Sequence, residues 1–144
     1  MKLHISINGI DIDEYGIVPL EGFLNAILKP AGFKKLATNT NTAFDGVIPI
    51  VNGNRKRDSR TVTLNFLIRS VSIIDKRRCI ERLESALMAG KNDSGVNELF
   101  VAELEQCYRL IFDGITSYNG ANEEKAIIAV KFTEFCPTPE NRVP

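Results

Sequence analysis

The 144-residue sequence has one histidine, three cysteines and no excess of either charge, eighteen Lys and Arg balancing eighteen Asp and Glu. Each scarcity removes a class of function. A clear basic excess is the usual footprint of nonspecific nucleic-acid binding, and it is missing here, so neither a nucleic acid nor a membrane is an expected specific partner. Histidine is the most common general base, and His4 stands alone in the first predicted strand. Cys79, Cys107 and Cys136 are odd in number and widely spaced, without a CxxC pair. They read as free buried thiols, not as a disulfide framework or zinc site. No apolar run approaches the ~20 residues of a membrane span. The opening MKLHISINGIDID turns polar too soon for a secretory signal core, which points to a chain made in a cytoplasm.

Chemistry-bearing motifs are equally scarce. The sequence contains no GxSxG elbow, no GxxxxGK(S/T) phosphate loop, no HExxH and no GxGxxG. Asp11 and Asp13 share one face of a predicted strand, a pattern open to a metal or carboxylate-pair reading, but no third or fourth ligand accompanies them. The expectation is a non-enzymatic protein with no cofactor, no metal and no small-molecule substrate.

What is present is a pattern of alternation. In RTVTLNFLIRS, Val62, Leu64, Phe66 and Ile68 fall on one side of an extended chain, and Thr61, Thr63, Asn65 and Arg69 on the other, with Leu67 the apolar intruder. The same two-residue period places Tyr108, Leu110 and Phe112 opposite Arg109, and Ile128, Val130 and Phe132 opposite Lys131 and Thr133. At the N-terminus, Asn8-Gly9 suits a type I′ turn, predicting a hairpin that pairs Ile7 with Ile10 and Ile5 with Ile12. Leu3, Ile5, Ile7, Ile10 and Ile12 are then expected on one face. Ser72, with Asp75 three residues on, opens a predicted helix whose apolar face is Cys79, Ile80, Leu83, Ala86 and Leu87. Lys76, Arg77, Glu81, Arg82 and Glu84 are expected on its wet side, and Gly90 closes it.

Between these clear elements the pattern weakens. GFLNAILK predicts a short helix stopped by Pro30, and VIPI a short strand that Pro49 confines to an edge or bulge. Otherwise the segment reads as a long irregular arm suited to ordering against a partner. The run NRKRDSR concentrates Arg55, Lys56, Arg57 and Arg60, either as a partner-contact loop at Arg55, Lys56 and Arg57 or as a solvated lead into the next strand. The predicted organisation is a single domain over 1–144. It comprises a hairpin (1–15), an irregular arm (16–58), a β-α-β-β-β core (59–136) and a tail (137–144). The fold class is α+β, a mainly antiparallel sandwich or barrel-like sheet with one packed helix and an N-terminal hairpin.

The order of these elements carries a resemblance. A Gly-containing loop (FDGVIPIVNGN) leads through a basic stretch into RTVTLNFLIRS. The helix IDKRRCIERLESALMAG follows, then ELFVAEL, CYRLIFDGI and VKFTEFCP. Residues 44–139 resemble the N-terminal domain of the distal tail proteins of long-tailed bacteriophages, themselves related to tail-tube proteins and to tube components of contractile injection systems. The positions that carry it are Arg60, Leu64, Phe66, Leu83, Leu87, Leu99, Tyr108, Phe132 and Pro137. The resemblance implies a structural protein of a phage or prophage tail, made in a bacterial cytoplasm and found in the virion tail. It implies a homo-oligomer, a hexameric ring around a DNA-conducting channel, with other tail proteins as partners. The wet face carrying Thr61, Thr63, Asn65 and Arg69 would then line or approach the lumen. From a different class stands a small non-enzymatic module that binds a ligand or protein.

Overall fold

The structure is a computed structural model that describes residues 3–32, 37–40, 47–50, 58–120, 122 and 124–144, with 37–40 and 47–50 described by their backbone. Nine strands form two sheets. They are β1 (Ile5–Ile7), β2 (Ile10–Asp11), β3 (Ile17–Pro19), β4 (Ala37–Thr40), β5 (Val47–Ile50), β6 (Arg60–Arg69), β7 (Val96–Val101), β8 (Gln106–Gly120) and β9 (Lys125–Glu134). Two helices, α1 (Phe23–Leu28) and α2 (Ile73–Ala89), complete the main elements. The large sheet has seven strands in the order β2-β1-β7-β8-β9-β6-β3, every pairing antiparallel. β4 and β5 pair only with each other.

The two edges of the large sheet are close in sequence, and this bends it. Asp11 ends one edge strand and Ile17 begins the other, so six backbone steps span at most ~21 Å. Seven flat strands would separate those edges by ~29 Å. The sheet must therefore curl. The short 3₁₀ turn Ile12–Tyr15 bridges the gap and buries Ile12 and Tyr15 in the same core as the inner sheet face. The expected barrel-like α+β architecture is what the chain adopts.

Local chemistry sets the elements as anticipated in several places. Asn8 (φ 55°) and Gly9 (φ 82°) take the left-handed conformations of a type I′ turn. Ser72 caps α2 by accepting from the Asp75 N–H at 3.1 Å, and Asp75 Oδ2 in return accepts from the Val71 N–H. Gly90 ends the helix at φ 72°, where an added Cβ would stand 2.5 Å from the Val96 nitrogen.

Other expectations are corrected. The hairpin ladder stops at Ser6↔Asp11 because the chain turns into the 3₁₀ segment, so Ile5 pairs with Val101 of β7 and not with Ile12. Ile10, at the outer edge strand, is exposed, while Ile5, Ile7 and Ile12 are buried. Within 16–58 the expected short helix and VIPI strand are α1 and β5, and the described residues add β3 and β4, which were not expected. Pro49 lies in β5, which has a partner on one side only, as a residue lacking an N–H requires. β8 continues through Thr116–Gly120, past the CYRLIFDGI run, by accepting two register shifts against β9. The tail forms a 3₁₀ turn at Pro139–Arg142. Of the three free thiols Cys107 is buried, Cys79 half-buried and Cys136 exposed, so burial is not common to all three.

A candidate assembly face and the base of the arm

Strand β6 sorts its side chains as its alternation demands. Val62, Leu64, Phe66 and Ile68 are buried against α1 and α2, Phe66 meeting Phe23 with ring centroids 5.8 Å apart. Thr61, Thr63, Asn65 and Arg69 are all exposed on the outer face. The ladder with β9 extends that face: Thr61 lies opposite Thr133, Thr63 opposite Lys131, Asn65 opposite Ala129, Leu67 opposite Ile127 and Arg69 opposite Lys125. Ser117 and Asn119 of β8 continue it beyond Ala129 and Ile127. The four residues singled out from the sequence therefore share one mostly polar surface, with the cations Arg69, Lys125 and Lys131 upon it. The Thr133 hydroxyl donates to Asp113 within it. Arg55, Lys56 and Arg57 lie outside the described residues.

Period two also placed Arg60 and Glu134 on the inner side, although their charge pointed outward. The inner side wins. Arg60 is 8% exposed and Glu134 0%, as opposite residues on the β6–β9 ladder. Arg60 Nε donates to Glu134 Oε1 at 2.5 Å, and Arg142 of the tail donates to both Glu134 oxygens at 2.9 and 3.0 Å. Arg60 Nη1 reaches the carbonyls of Ile27 (2.8 Å) and Lys29 (2.6 Å), free acceptors at the end of α1. The Tyr108 ring lies beneath both guanidinium groups, at 5.6 and 5.0 Å. Burial pushes the Tyr108 phenol above its usual value, against the pull of Arg142 and Arg60. The hydrogen bond to Glu134 raises Arg142, outweighing burial. The Asp58 N–H also bonds to the Gly32 C=O at 2.8 Å.

Lys76, expected on the wet side of α2, is buried at 6%. It falls in line with Ile80, Leu83 and Leu87 at i+4, i+7 and i+11. Its ammonium donates to the Asn122 carbonyl at 2.7 Å and lies 5.9 Å from the Tyr118 ring, tying the helix start to the β8–β9 tip. Asp11, a candidate carboxylate, caps the 3₁₀ turn by accepting from the Asp13 N–H. His4 pairs with Glu103 at 2.8 Å on the surface. Among the described residues, no three His, Cys, Asp or Glu side chains cluster as metal ligands, and no helix is long and apolar enough to cross a membrane.

The structure is similar to the crystal structure of the Dit protein of phage SPP1. The TM-score is 0.65 at 13% sequence identity, over 95% of this chain and 51% of that one. The chain shares the Dit fold. That protein is described as a paradigm of the hub adsorption apparatus in phages that infect Gram-positive bacteria. The similarity covers more than the length of residues 44–139, nearly the whole chain, and this chain spans about half the length of the Dit protein. No family model matches the sequence, and no curated protein matches it.

Proposed function

We propose that this chain is a structural component of a phage or prophage tail, acting by assembly and not by chemistry. In this reading it forms a ring, six copies around a DNA-conducting channel, in contact with other tail proteins. The observation that carries the reading is the Dit fold, shared over 95% of the chain with a phage hub protein.

Two features of the chain support assembly. β3 pairs only with Phe66–Ile68 of β6, so among the described residues the Thr61–Leu64 stretch of that edge has no strand beside it. An open edge is a template for a neighbouring chain, and a closed ring of heterologous contacts uses it without runaway growth. Among the described residues β4 and β5 pair with no strand of the large sheet, and a two-stranded sheet alone is marginal in water until something covers it. The outer face of Thr61, Thr63, Asn65 and Arg69 would line or approach the lumen, where the small neutral groups of Thr61, Thr63 and Asn65 do not grip phosphates and the cations Arg69, Lys125 and Lys131 supply the contacts that could.

The test is the mass in solution, by light scattering after size exclusion across a concentration range, with electron microscopy of the largest species. The expected result is a 16.0 kDa monomer that converts to sixfold rings as concentration rises. A monomer at every concentration, with no rings in the images, overturns self-assembly.

A further inference from the structure

The core accounts for one stripe of α2 but not for the rows beside it. Lys76, Leu83 and Leu87 are buried, and Ile80 packs next to them. Along the adjoining flank run two ridges of residues four apart. Ile73, Arg77 and Glu81 form one, and Ile80, Glu84 and Met88 the other. Ile73 is 59% exposed and Met88 70%, each a large apolar side chain at one end of the flank. Between them, Arg77 has Glu81 as its ion-pair partner at 3.9 Å on the surface, and Glu84 has none among the described residues.

The two ridges are complementary when one is reversed. A twofold axis between Ile80 and Glu81 exchanges Ile73 with Met88, Arg77 with Glu84, and Ile80 with Glu81. A second α2 laid antiparallel on the first therefore sets apolar against apolar at both ends and a cation against a carboxylate inside them. Each contact is made twice, as a self-complementary surface requires. The surface is also shaped to receive a side chain. Ile73 and Ile80, with Lys76, Arg77, Glu81 and Tyr118, line a groove of about 360 Å³ beside the helix. Methionine, unbranched and flexible, is suited to filling an irregular apolar groove. Ile73 and Met88 lie ~22 Å apart along the helix, so the two grooves of a pair are filled at separate places.

We propose that the flank of α2 is a twofold docking surface for a second copy of this chain. The two helices pack antiparallel, Arg77 of each against Glu84 of the other and Met88 of each in the other's groove. The pair uses neither the open β6 edge nor the outer β6–β9 face, so it stands or falls apart from the ring reading. A single helix pair lies at the small end of interface sizes, and its ion pairs are on the surface. The dimer is therefore weak, dependent on concentration and loosened by salt.

The test is analytical ultracentrifugation of the full-length protein at low ionic strength, over a concentration series. Wild type is expected to show a reversible species at twice the 16.0 kDa monomer mass. Arg77→Glu and Glu84→Arg each oppose like charges in their own homodimers and should weaken pairing by about tenfold or more. Mixing the two variants restores opposite charges at both contacts, so the mixture should pair about as tightly as wild type. Loss of folding in either variant cannot produce that recovery. Arg78→Glu makes the same charge change on the other side of the helix, beside Cys79 and Arg82, and should leave pairing unchanged. Ring formation, scored by electron microscopy, should be the same for wild type and Arg77→Glu, which separates this outcome from that of the ring. A wild type without the twofold species, as when the flank serves a different protein, overturns the proposal. So does a mixture that pairs no more tightly than its components.

Discussion

Arg60 and Glu134 form the last rung of the β6–β9 ladder, and both turn into the core, with Arg60 Nε 2.5 Å from Glu134 Oε1. The rung continues a file of apolar pairs, Val62 with Phe132, Leu64 with Val130, Phe66 with Ile128 and Ile68 with Ala126. A charged pair at the end of such a file is retained only if every charge finds a partner, and here the carboxylate serves two arginines.

Glu134→Gln is therefore expected to be among the most damaging single polar changes in the chain. It strands the buried Arg60 and the half-buried Arg142, a loss of about 3–5 kcal/mol by analogy with other broken buried pairs. Arg142→Gln leaves the Arg60 pair intact and should cost less, about 1–3 kcal/mol. Urea unfolding followed by circular dichroism gives both values. Equal effects would show that the carboxylate does not act as the shared hub.

Gly90 and Gly9 separate backbone strain from steric contact. Both have positive φ, but an added Cβ meets nothing within 4 Å at Gly9 and stands 2.5 Å from Val96 N at Gly90. Gly9→Ala should cost about 1 kcal/mol from conformation alone. Gly90→Ala adds a clash with backbone that cannot rotate away and should cost about 2 kcal/mol or more. Thermal melts of the two variants against wild type measure the difference.

The sequence was most legible where one physical rule acted alone. Alternation along β6 and β9 assigned the inner and outer faces, and Asn8-Gly9 and Ser72 placed a turn and a cap. It was least legible where rules conflicted. The period of β6 puts Arg60 inside and that of α2 puts Lys76 inside, while their charge argues for solvent; only long-range partners, Glu134 and the Asn122 carbonyl, decide the outcome. Ser117, Asn119 and Gly120 are weak strand formers, yet pairing with β9 carries them into β8. The outer face at Thr61, Thr63, Asn65 and Arg69 was readable from periodicity. The sharing of Glu134 by Arg60 and Arg142 was not, because residues 60, 134 and 142 meet only in the fold.

Lys76 gives a test of a local tie. Replacing it with methionine keeps most of the aliphatic stem but removes the donor to Asn122 C=O and the cation beside Tyr118. Amide exchange in 118–126 should accelerate, while β7 and the centre of β6 keep their protection. Uniform acceleration across the sheet would mean that Lys76 supports the whole core and not the tip.

The outer face and the core should respond differently to truncation. Asn65→Ser changes an exposed residue and is expected to shift stability by no more than about 0.5 kcal/mol. Leu64→Ala, one residue away and 0% exposed, removes packed volume and should cost about 2–5 kcal/mol. Urea midpoints of the two variants check the ordering. A large loss at Asn65 would show that the face is engaged within the monomer, against its role as a free assembly surface.

The tail lies across β8. Arg109 donates to the carbonyls of Asn141 and Val143, and Pro144 joins Phe100 and Cys107 around a shared hollow on the outer face. Burial raises the Cys107 thiol above its ordinary value, so less of it is thiolate near neutrality and its access is also limited. Cys136, exposed, should be alkylated by iodoacetamide at pH 8 well before Cys107, which mass spectrometry of tryptic peptides resolves. Arg109→Ala releases the tail and should raise the Cys107 rate without changing that of Cys136. The sign of the pH effect follows from the same shift. A raised thiol in the folded state stabilises below the ordinary thiol pKa, and that contribution is lost as pH climbs through the folded value. Cys107→Ala should therefore flatten the fall in stability above the thiol range. An unchanged slope would remove Cys107 as its source.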